Sequence, residues 1–264
     1  MARTPARDSI LQTAFGVLYQ SRTLYWLVST VAFAGRWRVW QRRALPRLVG
    51  HDVLEVGCGI GSLLADMVRA GYHCRAVDAS PRMVAAARSE LRRQGLAGRD
   101  VAVEEGVVQR LPFDAAAFDT VVSTFPTPYI YDPAAVREIA RVLRPGGRLV
   151  VVEGATLLPA HLLLMPLVAL QAVVYGQPLR RALARHDSAA MPERAVPAAA
   201  TTVERPREAV WTELPRTRRS AIPLEMARLR RIEEVDHARS WQVLVVIGEK
   251  AASADPTAAQ PVRP

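Results

Sequence analysis

Apolar residues in this chain come in short runs that break at glycine or proline and then restart with a helical period. Residues 53–56 read as a strand, 62–70 as an amphipathic helix, 73–77 as a second strand, and 81–94 as a helix that Gly95 stops after Arg92 and Arg93. Residues 101–105, 120–123 and 148–153 read as further strands, with a helix over 134–143. Residues 232–238 and 241–248 read as a hairpin. Strands alternating with helices at this spacing predict an α/β fold with a doubly wound, mostly parallel sheet and a C-terminal antiparallel hairpin.

Three stretches depart from that rhythm. Residues 10–40 mix apolar clusters with Arg22, Arg36 and Arg38 and carry Tyr19, Tyr25, Trp26, Phe33, Trp37 and Trp40. The segment 1–45 is therefore expected to form one or two amphipathic helices, either packed over the domain as a lid or lying at a membrane surface. Residues 155–179 carry no charge and reach the length of a membrane span, about 20 residues. Pro159, His161, Pro166 and Gln171 interrupt that run, so a buried or pocket-lining helix, an interfacial helix and a span all stand as readings. Residues 180–220 are rich in Ala, Pro and Arg, and Pro192, Pro197, Pro206 and Pro215 break any long helix. Together these form an insertion at 155–222 within a domain of 46–250. The tail 251–264 is small, polar and proline-containing, and disorder is expected there.

Chemistry enters where the first strand breaks into Gly57-Cys58-Gly59-Ile60-Gly61, with Asp78 closing the second strand. Strand, glycine turn and helix mark the place where an α/β sheet admits a nucleotide-like ligand. A dinucleotide site also uses spaced glycines and a later acid, but it wants a glycine where this chain has Ser62, and Glu55 sits two residues before the first glycine. With that Glu-x-Gly-x-Gly-x-Gly form, the chain resembles the class I S-adenosylmethionine-dependent methyltransferases. The landmarks continue in family order: Asp78-Ala79-Ser80-Pro81-Arg82-Met83, then Leu111-Pro112-Phe113, Phe118-Asp119-Thr120-Val121-Val122-Ser123, the helix from Pro133, and Leu143-Arg144-Pro145-Gly146-Gly147. The resemblance runs from about Leu48 to Val152 and is nearest to the ubiquinone- and menaquinone-methyltransferase branch. It implies a seven-stranded, Rossmann-like sheet and S-adenosylmethionine as cofactor.

Gly57, Gly59 and Gly61 would let the loop backbone touch the methionine and ribose part, and the helix starting near Ser62 offers N–H groups to a carboxylate. Asp78 is placed to accept both ribose hydroxyls. Glu55 is expected to order the loop rather than do chemistry. The resemblance adds Ala79, Met83, Val107, Val108 and Ser123 to the cofactor-binding set. One departure stands out: where the family carries an acid to accept from the adenine amino group, this chain has Val107 in Gly106-Val107-Val108-Gln109, leaving backbone groups or Gln109 to substitute.

At 264 residues with a net charge of +10 and a sequence pI near 10.6, the chain suits one catalytic domain and is strongly basic. That charge would fit nucleic acid, anionic lipid or an acidic substrate, but Lys250 is the single lysine, and an arginine excess can equally reflect genome composition. Two cysteines, Cys58 and Cys74, are too few for a disulfide framework, and no apolar leader with a cleavage site follows Met1, so the cytoplasm is the expected compartment.

After the fourth strand, Phe125, Tyr129 and Tyr131 suggest an aromatic wall with hydroxyls at its rim, or else a loop shaped by Pro126 and Pro128 whose aromatics are ordinary core. The Asn/Asp-Pro-Pro-Tyr sequence of amino-methylating enzymes is absent, which speaks against nucleic acid as a partner. Catalysis can come from holding the acceptor in line, with a base needed for a hydroxyl. The candidates are His161 and Tyr129, then Glu153, with His186 and His237 less well placed. No metal-ligand spacing is present. The expected function is methyl transfer to a small, largely apolar acceptor (quinol-, aromatic- or lipid-like), with peripheral membrane contact open; the alternatives are an RNA or other nucleic-acid methyltransferase and a cofactor-binding protein with weak or no transfer activity.

Overall fold

The computed structural model describes residues 35–157 and 220–252. Seven strands form one sheet in the order β3-β2-β1-β4-β5-β7-β6. In chain order these are β1 (Asp52–Val56), β2 (His73–Asp78), β3 (Val101–Glu105), β4 (Phe118–Thr124), β5 (Leu143–Leu157), β6 (Leu229–Ala238) and β7 (Trp241–Lys250). The first five pair in parallel, whereas β7 runs antiparallel between β5 and β6. The expected doubly wound sheet with its terminal hairpin is thus what the chain builds.

The helices are α1 (Trp37–Gln41), α2 (Ser62–Arg69), α3 (Pro81–Arg93) and α4 (Pro133–Val142). Local chemistry sets their ends. Ser80 caps α3 by accepting from the Met83 N–H, Pro81 takes the first helical position, and Gly95 follows the helix at φ +67°. Asp132 caps α4 through the Ala134 N–H. Alternation along β1 divides the core. Val53 joins α2 and α3 in one apolar cluster with Leu64, Ala87 and Trp241, while Leu54 and Val56 face the other cluster with Val136, Ile139 and Leu149. Both faces of the sheet are therefore covered, as a parallel sheet requires.

Strand β5 is longer than the pattern of residues 148–153 suggests. It runs from Leu143, which pairs with Phe118, to Leu157, which pairs with Trp241, and a register irregularity falls between Val152 and Gly154. Residues 155–157, expected to begin the apolar insertion, are thus strand. The antiparallel β7 offers hydrogen-bond partners up to Trp241, and a backbone with such partners extends as far as they last.

α1 continues into a 3-10 turn, Arg42–Arg47, and is fastened at three points. Arg38 and Arg42 both donate to Asp66 of α2, at 3.0 and 2.8 Å for their shortest bonds. Arg47 donates to Glu234 and Asp236 of β6 at 2.7 and 2.9 Å. Trp40 is fully buried in the α2/α3 cluster. Of the amphipathic N-terminal segment, residues 1–34 lie outside the described residues, as do 158–219 of the insertion and 253–264 of the tail. No helix among the described residues is long and apolar enough to cross a membrane.

Candidate functional site

The strand order reverses between β1 and β4, and a cavity of about 360 Å³ opens at the carboxyl ends of the strands on either side of that point. Its size lies in the range of small-ligand and cofactor sites. One wall follows the sheet outward: the glycine loop after β1, then Asp78 at the end of β2 with Ala79, Ser80 and Met83 after it, then residues 106–109 after β3. Across from it stand Thr124 at the end of β4 and Phe125, Pro126, Thr127 and Tyr129 after it, with Trp37 and Gln41 of α1.

The glycine loop is tied to β2, the Gly57 N–H donating to the Val77 carbonyl at 2.8 Å and the Gly59 N–H to Asp78 Oδ2 at 2.9 Å. Two glycines are sterically required. At Gly57, φ is +69° and a Cβ would lie 2.7 Å from the Tyr129 hydroxyl. At Gly61, φ is +76° and a Cβ would come within 3.1 Å of the Ala87 backbone on α3. Gly61 thus serves the packing of loop on helix and does not line the cavity, whereas Gly57 and Gly59 do.

Asp78 has both oxygens engaged once, Oδ2 by Gly59 N–H and Oδ1 by Ser80 N–H at 2.9 Å. An ionised carboxylate offers about four acceptor positions. The two backbone bonds therefore fix the side chain and leave capacity toward the cavity. These acceptor positions fit the two hydroxyl donors of a ribose diol, with Met83 and the 51% exposed Val107 supplying apolar surface for a base.

Glu55 sits beneath the loop, 1% exposed and outside the cavity wall. Burial, then the charges of Asp78 and Asp66, push its carboxyl well above the usual range, opposed by a hydrogen bond from the Leu64 N–H. Burial likewise raises both thiols, Cys74 to about 12, so neither is a thiolate nucleophile at neutral pH. Ser123, expected to contact cofactor, is fully buried behind the wall. Its Oγ donates to the Val56 carbonyl at 3.0 Å and lies 2.6 Å from the Tyr129 hydroxyl. That hydroxyl also donates to Val56, at 3.0 Å. Tyr129 lines the cavity with its ring while its hydroxyl points inward to brace the end of β1. Tyr131 is 42% exposed, donates to Glu153 and does not line the cavity. The expectation of tyrosine hydroxyls at the rim is corrected on both counts, because each ring turns to the polar partner within its reach.

The roof comes from residues the sequence pattern marked only as part of an aromatic and arginine mixture. Trp37 stacks on Phe125 with ring centroids 4.1 Å apart, and Gln41 Nε2 donates to Thr124 Oγ1 at 3.1 Å. Phe125 adopts φ +50°, a left-handed conformation that non-glycine residues rarely take, and its N–H donates to the Val152 carbonyl at 2.7 Å. His161 lies outside the described residues. Among the described residues, no group of three or more acids, histidines or cysteines converges as a metal site.

Residues 54–151 match a family described as a methyltransferase domain. The chain is 37% identical over 165 residues to a demethylmenaquinone methyltransferase of Mycobacterium marinum, covering 61% of this chain and 64% of that one. It is 37% identical over 169 residues to the protein of that name in Mycolicibacterium vanbaalenii (62% and 66%) and 33% over 163 residues to the one in Corynebacterium glutamicum (60% and 63%). The chain thus spans just under two thirds of the length of the curated relatives it matches.

Proposed function

We propose, from the match of residues 54–151 to a methyltransferase domain, that the protein is a class I S-adenosylmethionine-dependent enzyme that methylates a small, largely apolar acceptor by direct in-line transfer. The observation that carries this reading is the two-sided cavity: a glycine loop with Asp78 on one wall, and Trp37, Phe125 and the Tyr129 ring on the other. When bound, S-adenosylmethionine supplies a methyl group on a sulfonium centre.

The protein's own part is binding, alignment and exclusion of water. Asp78 holds the ribose hydroxyls, and the backbone of Gly57 and Gly59 receives the methionine end. Trp37 and Phe125 cover the cavity where the β4 end meets the glycine loop, so a planar apolar acceptor finds an aromatic surface there. Among the described residues, Asp78 is the one carboxylate in the wall, and it is committed to the cofactor. Tyr129 is better placed to hold the loop than to take a proton. Catalysis on this reading rests on proximity and orientation, with His161 as the proposed base where the acceptor is a hydroxyl.

The relatives' printed name supports an acceptor of the demethylmenaquinone kind. So apolar a molecule resides in a bilayer, and we place the protein in the cytoplasm with residues 10–40 as its contact to the membrane surface. The direct test is formation of S-adenosylhomocysteine from S-adenosylmethionine with demethylmenaquinol in detergent, set against simple dihydroxynaphthalenes and against RNA. Turnover with the quinols is expected. Turnover with RNA alone would overturn the acceptor class, and turnover with none would remove the activity.

A further inference from the structure

Residues 106–109, where the cavity wall passes β3, carry no carboxylate. The glycine loop, Asp78 and residues 106–109 line one wall in the lateral order β1, β2, β3. A ligand with its ribose on Asp78 and its methionine end over the glycine loop carries its base against residues 106–109. Val107 presents apolar surface there and no side-chain acceptor. Its carbonyl already accepts the Arg110 N–H at 3.0 Å, closing the turn.

Gln109 is the polar side chain of this stretch, exposed and lining the cavity. Its Nε2 donates to Asp132 Oδ2 at 3.0 Å. Asp132 is itself fixed as the cap of α4, its Oδ1 accepting the Ala134 N–H at 2.8 Å. The bond from Gln109 and then the one from Ala134 hold the Asp132 carboxyl below its ordinary range, so it is ionised at neutral pH. An ionised carboxylate can only accept, which obliges the Gln109 amide to turn its NH₂ toward Asp132. The amide oxygen is then the end left over, and it too is only an acceptor.

We propose that Gln109, its amide oriented by Asp132, is the residue that recognises the 6-amino edge of the cofactor's base, in the role that Val107 cannot fill. The inference rests on the S-adenosylmethionine reading above and assigns discrimination to two residues 23 positions apart. Gln109 touches the ligand, and Asp132 is a positioning residue. The site then prefers a 6-amino base, which donates to the amide oxygen, over a 6-oxo base, which sets one acceptor against another.

The experiment is calorimetric titration of the full-length protein with S-adenosylhomocysteine and with its 6-oxo counterpart, S-inosylhomocysteine. A preference of about tenfold for the adenosyl compound is expected, the effect of one hydrogen bond gained against one acceptor pair opposed. Gln109→Leu is expected to bring the ratio close to one without moving the melting temperature, since the side chain is exposed. Asp132→Asn preserves the helix cap but offers Gln109 a partner of either polarity, and the ratio is expected to fall to an intermediate value. A Gln109→Leu protein that binds S-adenosylhomocysteine with the wild-type ratio overturns the assignment while leaving the cofactor reading intact. A folded wild-type protein that binds neither compound overturns that reading and the inference together.

Discussion

The hydroxyl of Tyr129 occupies the space that a side chain at position 57 would need: a Cβ built on Gly57 falls 2.7 Å from it. The bend of the cofactor loop and the aromatic segment after β4 are therefore parts of one fitted joint, held by the Val56 carbonyl, which both Tyr129 and Ser123 approach at 3.0 Å. Gly57→Ala is expected to cost about 1–2 kcal/mol for the left-handed backbone alone, and more for the collision. Tyr129→Phe removes the colliding atom, so the double variant should lose less than the sum of the two single ones. Urea unfolding of the four proteins checks this. The pH–rate profile of Tyr129→Phe is expected to keep its shape, as it would not if the phenol took a proton.

Asp78→Ala removes the proposed acceptor for the ribose and the anchor of the Gly59 and Ser80 N–H groups. Two hydrogen bonds to a charged group at about 1.5 kcal/mol each predict affinity for S-adenosylhomocysteine lower by on the order of 100-fold. Calorimetric titration reads this directly.

Glu55 gives a pH dependence whose sign follows from burial. Its carboxyl titrates well above the usual value when folded and near 4.3 when unfolded, so the folded chain holds the extra proton. The associated stability is complete below the unfolded value and is lost as pH rises through the raised folded one. Glu55→Gln is expected to match the wild type near pH 4 and to exceed it in melting temperature at pH 8, as thermal melts at both values would show.

Trp37→Ala removes a stacked pair of the sort that contributes about 1 kcal/mol and opens the roof above Phe125. Because Trp37 stands on the α1 side of the cavity, away from Asp78, the expected effect is a severalfold rise in the acceptor's KM with a much smaller change in S-adenosylhomocysteine affinity. Steady-state kinetics beside calorimetry separates the two.

Much of this architecture was legible because its causes are local. A glycine loop behind an apolar run, Asp78 closing the next strand, Ser80 and Pro81 opening a helix and Gly95 closing it each follow from conformational demands on neighbouring residues. What escaped the sequence depends on distant partners. Residues 155–157 look like the start of an apolar helix until β7, more than 80 positions on, supplies its edge. Tyr129 and Tyr131 read alike as rim aromatics, yet one hydroxyl turns to Val56 and the other to Glu153. The Gln109 amide donates to Asp132, 23 positions on, and Glu55 is buried with the Leu64 N–H of α2 reaching it. Trp37 carried a signal only in its company of arginines and aromatics, which marks a helix that packs on something without saying on what.

The clasp between α1 and α2 sets how the roof answers to its medium. Arg38 and Arg42 remain 49% and 42% exposed while Asp66 beneath them is only 8% exposed, so half of each pair is open to counterions. The Debye length shrinks from about 10 Å at 0.1 M salt to about 3 Å at 1 M. Added salt is therefore expected to weaken these contact pairs only in part, and to act on the helix that carries Trp37 more than on the glycine loop, whose ties to β2 at Gly57 and Gly59 carry no pair of opposite charges.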